Sequence, residues 1–199
     1  MSQIPVPAEA VVMGASMGAI ETLSFILPVL PADYPLPILI VVHLPPDADS
    51  LLSELFVAKC RLKVKEAEDK EVVARGTIYF APANYHLLVE SEHVLSLSSD
   101  EPELFSRPAI NFLFESAADV YGDGLVGIIL TGASEDGAHG LRMVGENGGV
   151  AVVQDPREAA APDMPSAALK ACPTAHVMTI DEIGTFLARL PVMHLTDVE

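Results

Sequence analysis

The chain has 199 residues, 50% of them hydrophobic, which suits a single α/β domain spanning 1–199, with a core at about 10–190 and short tails. A formal net charge of −17, from 28 acidic and 11 basic residues, has the wrong sign for binding nucleic acid or an anionic membrane. No basic leader or membrane-length apolar run is present in the sequence. A cytoplasmic protein without membrane insertion is therefore expected.

A strand–turn–helix junction opens the predicted fold at residues 11–19, Val-Val-Met-Gly-Ala-Ser-Met-Gly-Ala. The apolar run breaks at Gly14, presents Ser16, and continues after Gly18 with helical spacing, which matches the Gly-x-Ser-x-Gly pattern of a nucleophile elbow. This pattern places the Ser16 hydroxyl outside the sheet, with helical N–H groups directed at it. A serine that only caps the next helix is the competing interpretation, and the five residues alone favour it.

Buried strands and helices alternate along the rest of the chain. The apolar, β-branched runs at 37–42, 125–130 and 150–153 are typical of strands buried on both faces of a parallel sheet. A further strand is predicted near 176–180. Helical spacing is found near 20–30, 51–56 (with Asp47, Asp49 and Ser50 as candidate caps), 110–117, 141–144 and 166–171, and after the Thr179-x-x-Glu182 capping box.

A different pattern occupies residues 64–99. Its segments at 77–80, 86–89 and 93–97 alternate with period two and are separated by turn-forming residues, which predicts an antiparallel insert. The whole pattern predicts a doubly wound α/β fold: a mainly parallel sheet with an antiparallel β insert and helices on both faces.

Three strands of the predicted sheet end in residues with complementary chemistry. Ser16, His43 and Asp136 supply a nucleophile, a general base and a carboxylate, which is the set that acyl transfer requires. Because ligands bind outside the carboxyl ends of parallel strands, we expect the three to meet at one edge. Their order in the chain differs from that of the α/β-hydrolases. Taken singly, His43 could simply close its strand, and Asp136 could cap the following helix.

Other chemistries have weaker support in the sequence. A metal site formed by Asp136, His139 and His43 has no recognisable ligand motif, and no metal or cofactor is expected. Cys60 and Cys172 lack metal-ligand spacing and are expected to be core thiols. A dinucleotide site at residues 14–19 would need two further glycines, and an acidic residue at the end of the second strand.

Three segments follow the strands that end in the candidate residues: Gly-Ala-Ser-Met-Gly-Ala at 14–19, Val-Val-His-Leu-Pro-Pro at 41–46 and Leu-Thr-Gly-Ala-Ser-Glu-Asp-Gly-Ala at 130–138. They resemble the three active-site segments of the catalytic domain of the CheB chemoreceptor methylesterases. Similarity also extends to 64–69, 76–82, Arg107-Pro108 and Met164-Pro165, so the resemblance covers about residues 10–190 in order.

The resemblance implies a function and a mechanism. Members of the family hydrolyse methyl esters of glutamate side chains on chemoreceptor helices and release methanol, and some deamidate receptor glutamines. The family's serine, histidine and aspartate correspond to Ser16, His43 and Asp136. The implied partners are the cytoplasmic helices of methylated chemoreceptors. Because the family's receiver domain is not found in this sequence, a separate response regulator or signalling partner is also expected.

The resemblance is incomplete beside the nucleophile. Residues 17–19 read Met-Gly-Ala where the family has threonine and two glycines, and residues 132–134 read Gly-Ala-Ser where it has Gly-Met-Gly. A catalytically weakened docking or signalling module is therefore the alternative to an enzyme. In the enzyme interpretation, backbone N–H groups of these segments contact the oxyanion and substrate; the candidates are Met17, Gly132, Ala133 and Ser134.

Overall fold

The computed structural model describes residues 8–43 and 51–193, with side chains as far as residue 190. Its strands are β1 (Ala10–Ala15), β2 (Ile38–Val42), β3 (Lys63–Glu66), β4 (Thr77–Phe80), β5 (His86–Glu90), β6 (Val94–Ser98), β7 (Leu125–Ile129), β8 (Val150–Gln154) and β9 (His176–Met178). Seven of them form one sheet in the order β3-β4-β2-β1-β7-β8-β9, and every neighbouring pair in it is parallel. The other two, β5 and β6, form an antiparallel pair.

Helices cover both faces of the sheet. They are α1 (Ala19–Ile26), α2 (Leu52–Val57), α3 (Ile110–Tyr121), α4 (Ala138–Glu146), α5 (Asp163–Ala171) and α6 (Ile180–Met193). One hydrophobic cluster joins the sheet to α1, α2 and α6, and a second joins it to α3, α4 and α5. This arrangement confirms the predicted doubly wound fold with helices on both faces.

The predicted capping box at the start of α6 is also confirmed. The Thr179 N–H donates to Glu182 Oε2 at 2.8 Å, and the Glu182 N–H donates back to Thr179 Oγ1 at 3.3 Å. Each side chain thereby satisfies a backbone N–H group that the helix itself cannot pair.

One part of the predicted insert is wrong. Strand β4 does not join the antiparallel pair but lies in the main sheet, in parallel register with β2 and β3. All four of its residues are buried, so their alternation does not mark one solvated face. Tyr79 looks polar in the sequence, yet its ring is buried and its hydroxyl accepts the Ala74 N–H at 3.0 Å.

Some predictions fall outside the described residues. These are the candidate caps Asp47, Asp49 and Ser50 of the second helix and the greater part of both predicted tails. Within the ranges 8–43 and 51–193, no helix combines the length and the apolar character that a membrane span requires.

The sheet topology determines where a site can form. Strand β1 lies between β2 and β7. The strands β2, β3 and β4 lie on one side of β1, and the later strands β7, β8 and β9 lie on the other, so the carboxyl end of β1 is a topological switch point. Ala15 is in register with Val42, and Gly14 with Ile129. The residues that follow these three strands consequently lie side by side at one edge of the sheet.

Candidate active site

Ser16 lies in the tight turn between β1 and α1, and both predicted glycines are required there. A Cβ atom on Gly14 would lie 2.5 Å from Ile110 Cγ2, and one on Gly18 would lie 2.8 Å from Ala160 Cβ. Gly18 also has a φ of 84°, which residues with a side chain rarely adopt. Only glycine therefore fits at these two positions.

The structure does not support Ser16 as a simple helix cap. Gly18 occupies the N-cap position of α1, and no side chain makes a capping hydrogen bond there. Ser16 is instead held by its backbone, because its N–H donates to the Thr131 carbonyl at 2.9 Å and its carbonyl accepts the Ala19 N–H at 3.0 Å. Its hydroxyl is not used to start the helix.

His43 and Asp136 form a close pair at the same edge of the sheet. His43 directly follows β2, and its N–H donates to the Ala15 carbonyl at 3.0 Å. Its Nε2 lies 2.7 Å from Asp136 Oδ2; the carboxylate is fully buried and the imidazole is 10% exposed. When Nε2–H donates to this carboxylate, the Nδ1 lone pair is the one left to accept a proton. The two ring nitrogens thus have the reverse roles of those in the serine-protease template.

Asp136 does not cap its own helix, which is the role that its sequence position suggests. Gly137 is the N-cap of α4. The Asp136 carboxylate accepts the N–H of Ile110 at 2.6 Å and that of Asn111 at 3.0 Å, both in the first turn of α3. Two backbone donors at the start of α3 therefore fix the carboxylate that faces His43.

Asn111, in the first turn of α3, makes side-chain hydrogen bonds to the start of α4. Its Oδ1 accepts the N–H of Gly137 at 3.0 Å and that of Gly140 at 2.9 Å, while its Nδ2 donates to Glu103 Oε1 at 2.7 Å. The start of α3 is therefore capped by Asp136, from the loop before α4, and the start of α4 is capped by Asn111 of α3. Asn111 was not among the site residues predicted from the sequence. An asparagine at the start of a helix is a typical capping residue, but this position would predict a cap for α3 and not for α4.

The candidate oxyanion donors are placed differently from one another. The Gly132 N–H already donates to the Ala161 carbonyl at 3.0 Å, whereas the N–H groups of Met17, Ala133 and Ser134 have no acceptor within the described part of the chain. Thr131 holds the Met17 backbone, since its hydroxyl donates to the Met17 carbonyl at 2.9 Å. The N–H groups of Met17, Ala133 and Ser134 are thus all available, and Met17 is the one adjacent to Ser16 in the chain.

Two grooves meet at Ser16 and His43, which line both of them. The first groove, of about 620 Å³, runs along α1 and includes Ile20, Phe25 and Lys59. The second, of about 500 Å³, is lined by Ala133, Ser134, Glu135 and the segment 104–106. Within the described ranges, no hydrogen bond joins the Ser16 hydroxyl to His43, so the structure brings these two residues to one cleft and pairs only His43 with Asp136.

The residues of the alternative chemistries lie in other contacts. His139 is on the surface of α4, where its Nδ1 is 2.7 Å from Glu115 Oε1, and so is not joined to Asp136. The part of the chain that the structure describes holds no cluster of three metal-ligating side chains. Both cysteines are free, and burial raises the pKa of the Cys60 thiol against the opposing charge of Lys59.

Comparison with known proteins gives the family. The family model described as CheB methylesterase matches residues 11–187, which is most of the chain. The chain belongs to the CheB methylesterase family. Its fold agrees with this, because the crystal structure of the CheB methylesterase catalytic domain of Thermotoga maritima superposes with a TM-score of 0.87. The two sequences are 32% identical, and the match covers 92% of this chain and 98% of the other.

Relatives with a named activity are also similar. A Leptospira interrogans protein, provisionally named a protein-glutamate methylesterase/protein-glutamine glutaminase, is 45% identical over 182 residues, or 92% of this chain and 94% of that protein. A Trichodesmium erythraeum protein with the same double name is 33% identical over 184 residues. That match covers 91% of this chain and 52% of the Trichodesmium protein.

Proposed function

We propose that this protein is a serine hydrolase that removes methyl esters from glutamate side chains of chemoreceptors, with Ser16, His43 and Asp136 as its catalytic residues. The observation that carries the proposal is the buried His43–Asp136 pair beside a glycine-bracketed serine at one sheet edge. Membership of the CheB methylesterase family supplies the substrate class. The partner is accordingly the cytoplasmic helix of a methylated chemoreceptor.

The first half of the reaction forms an acyl-enzyme. The Ser16 oxygen attacks the ester carbonyl while His43 Nδ1 takes the hydroxyl proton, and Asp136 stabilises the resulting imidazolium through Nε2. The oxyanion accepts the Met17 N–H. Collapse of the tetrahedral intermediate breaks the ester C–O bond, and the imidazolium returns its proton to the departing methoxide, which leaves as methanol.

The second half regenerates the enzyme. Water gives a proton to His43 and attacks the acyl carbon, and the Ser16 oxygen leaves with that proton, which frees a receptor glutamate. A glutamine side chain follows the same steps with ammonia as the leaving group. The double name of the relatives, methylesterase and glutaminase, supports this second activity for the same site.

The alternative, a docking module without catalysis, is not favoured. A module that only docks would need the Asp136 carboxylate to cap α3, but it needs neither a histidine paired with that carboxylate nor a serine hydroxyl left out of helix capping. The changes at Met17 and Ala133 affect the surroundings of these groups and leave the three side chains in place.

The test is methanol release from a methylated receptor fragment. We expect Ser16→Ala and His43→Ala to lower turnover by about 10⁴-fold or more, since each removes a reacting group. His139→Ala is the matched control, because its imidazole lies on the surface against Glu115. A wild-type protein that releases no methanol and resists labelling by a serine-reactive phosphonate would establish the docking alternative. Equal loss in His139→Ala and His43→Ala would show that the base is misassigned.

A further inference from the structure

A tight turn beside the catalytic cleft has an unusual backbone. Across residues 103–106, the Glu103 N–H donates to the Ser106 carbonyl at 3.2 Å and the Ser106 N–H donates to the Glu103 carbonyl at 2.8 Å. The two central residues, Leu104 and Phe105, have φ values of 47° and 65°. Positive φ at both central positions is the pattern of a type I′ turn, which normally uses Asn-Gly because bulkier residues are strained there.

The side chains of this turn are also unusual. The Phe105 ring is fully exposed, at 102% of its reference area, and Leu104 is 40% exposed. Both residues line the second groove, together with Ser16 and His43. An exposed ring buries no apolar surface, and its backbone conformation is unfavourable, so Phe105 contributes nothing evident to folding. Strain of this kind, next to reacting groups, points to a functional role.

The turn is fixed relative to the catalytic residues. Glu103 Oε1 accepts the Asn111 side-chain N–H at 2.7 Å, and the Asn111 backbone N–H donates to Asp136 at 3.0 Å. On the other side, Arg107 donates to the carbonyls of Ser99 and Asp100 at 3.0 and 3.1 Å. The backbone that carries Phe105 is therefore anchored beside the groove.

We propose that Phe105 is a specificity-determining residue that contacts an apolar side chain of the receptor helix, one helical turn from the esterified glutamate. This inference rests on the proposed function. In a helix, residues three and four apart lie on the same face, so a glutamate that reaches Ser16 presents such a neighbour to the adjoining groove. A rigid aromatic ring gives a large contact area for little loss of conformational entropy, and aromatic residues often carry most of a binding energy.

The experiment compares kcat/KM on a methylated receptor fragment with kcat/KM on a small activated ester. The ratio compared is kcat/KM for the receptor fragment divided by kcat/KM for the small ester. For Phe105→Ala, we expect this ratio to fall about 10-fold or more, mainly because KM for the receptor rises. Val72→Ala is the matched control, because Val72 is 65% exposed and lines neither groove. Its ratio should equal that of the wild type. A second receptor fragment carries serine in place of the apolar neighbours of the glutamate. Its kcat/KM with the wild-type enzyme should be lower than that of the original fragment, whereas its kcat/KM with Phe105→Ala should be nearly the same.

Three results would overturn the inference. An unchanged ratio in Phe105→Ala would show that the ring does not contact the receptor. An equal fall on both substrates would show that the turn only supports the catalytic groups. Conversion of a wild-type dimer into a monomer by Phe105→Ala, with no change in the ratio, would assign the ring to self-association. Absence of methanol release by the wild type is a separate result, and it would refute the proposed function itself.

Discussion

The candidate site has two halves that are built in different ways. In the buried half, Asp136 accepts hydrogen bonds from His43, Ile110 and Asn111, at distances from 2.6 to 3.0 Å. In the exposed half, the Met17 side chain is 61% exposed and the Phe105 ring stands free of the protein surface. The difference is that the charged groups are fixed by several hydrogen bonds, whereas the exposed side chains beside the cleft have few contacts that constrain them.

The physical reason lies in desolvation. A buried carboxylate is costly unless every acceptor position is filled, so the contacts of Asp136 tolerate little change. A side chain that projects into water has no such constraint and can be adapted to a partner.

The largest effect that would sharpen this contrast is expected for Asp136→Asn. An amide NH₂ in place of Oδ1 faces the Asn111 N–H, and one in place of Oδ2 faces both His43 and the Ile110 N–H. In the second orientation His43 is held in the wrong tautomer, so turnover should fall about 10⁴-fold, as in the serine-protease template. Stability should fall by about 1–3 kcal/mol, since a backbone N–H of α3 loses its acceptor. Methanol release and urea denaturation measure the two effects. Glu115→Gln, at an exposed ion pair, is the control and should change neither.

An intermediate effect is expected for Asn111→Ala. The change removes the caps of Gly137 and Gly140 and the bond to Glu103, so we expect kcat to fall by about 10-fold to 10²-fold through misplacement of Asp136, with KM for a small ester little changed. Steady-state kinetics on that ester measure both values. Asn147→Ala is the matched control, because Asn147 also bonds a helix backbone but lies on the surface at the other end of α4.

A conservative variant separates positioning from folding at the same residue. Asn111→Asp keeps the acceptor for the two glycine N–H groups but places a second carboxylate against Glu103, so it is combined with Glu103→Gln, whose amide can donate to it. The double variant should recover most of the kcat that Asn111→Ala loses. If the double variant were as slow as Asn111→Ala while remaining folded, Asn111 would not act through the capping of α4.

The smallest effect is expected for Met17→Thr, in the exposed half. The Met17 side chain lines neither groove and only its backbone adjoins Ser16, so KM or substrate preference should shift modestly and kcat should change by about 3-fold or less. Kinetics on a small ester and on methylated receptor measure this. A kcat gain of about 10²-fold on both substrates would contradict the comparison, because it would reveal an impaired enzyme that lacks a catalytic hydroxyl.

Much of the architecture could be predicted from local patterns. Runs of β-branched residues marked strands buried on both faces, and the Thr179-x-x-Glu182 spacing marked a helix start that the structure confirms. The assignment of Thr77–Phe80 to the antiparallel insert was wrong. An alternating pattern indicates that side chains point to opposite faces of a strand, but it does not indicate which other strand pairs with it.

The sequence alone determined the family, the doubly wound fold and the strand ends at which Ser16, His43 and Asp136 lie, because these features depend on contiguous residues. Only the tertiary structure decided which nitrogen of His43 meets Asp136, that this carboxylate caps α3, and that Asn111 caps α4. It also placed Phe105 at the mouth of the cleft. Such contacts join residues that are 25 or more positions apart, for example Asn111 with Asp136, and a hydrogen bond between distant segments leaves no periodic trace along the chain.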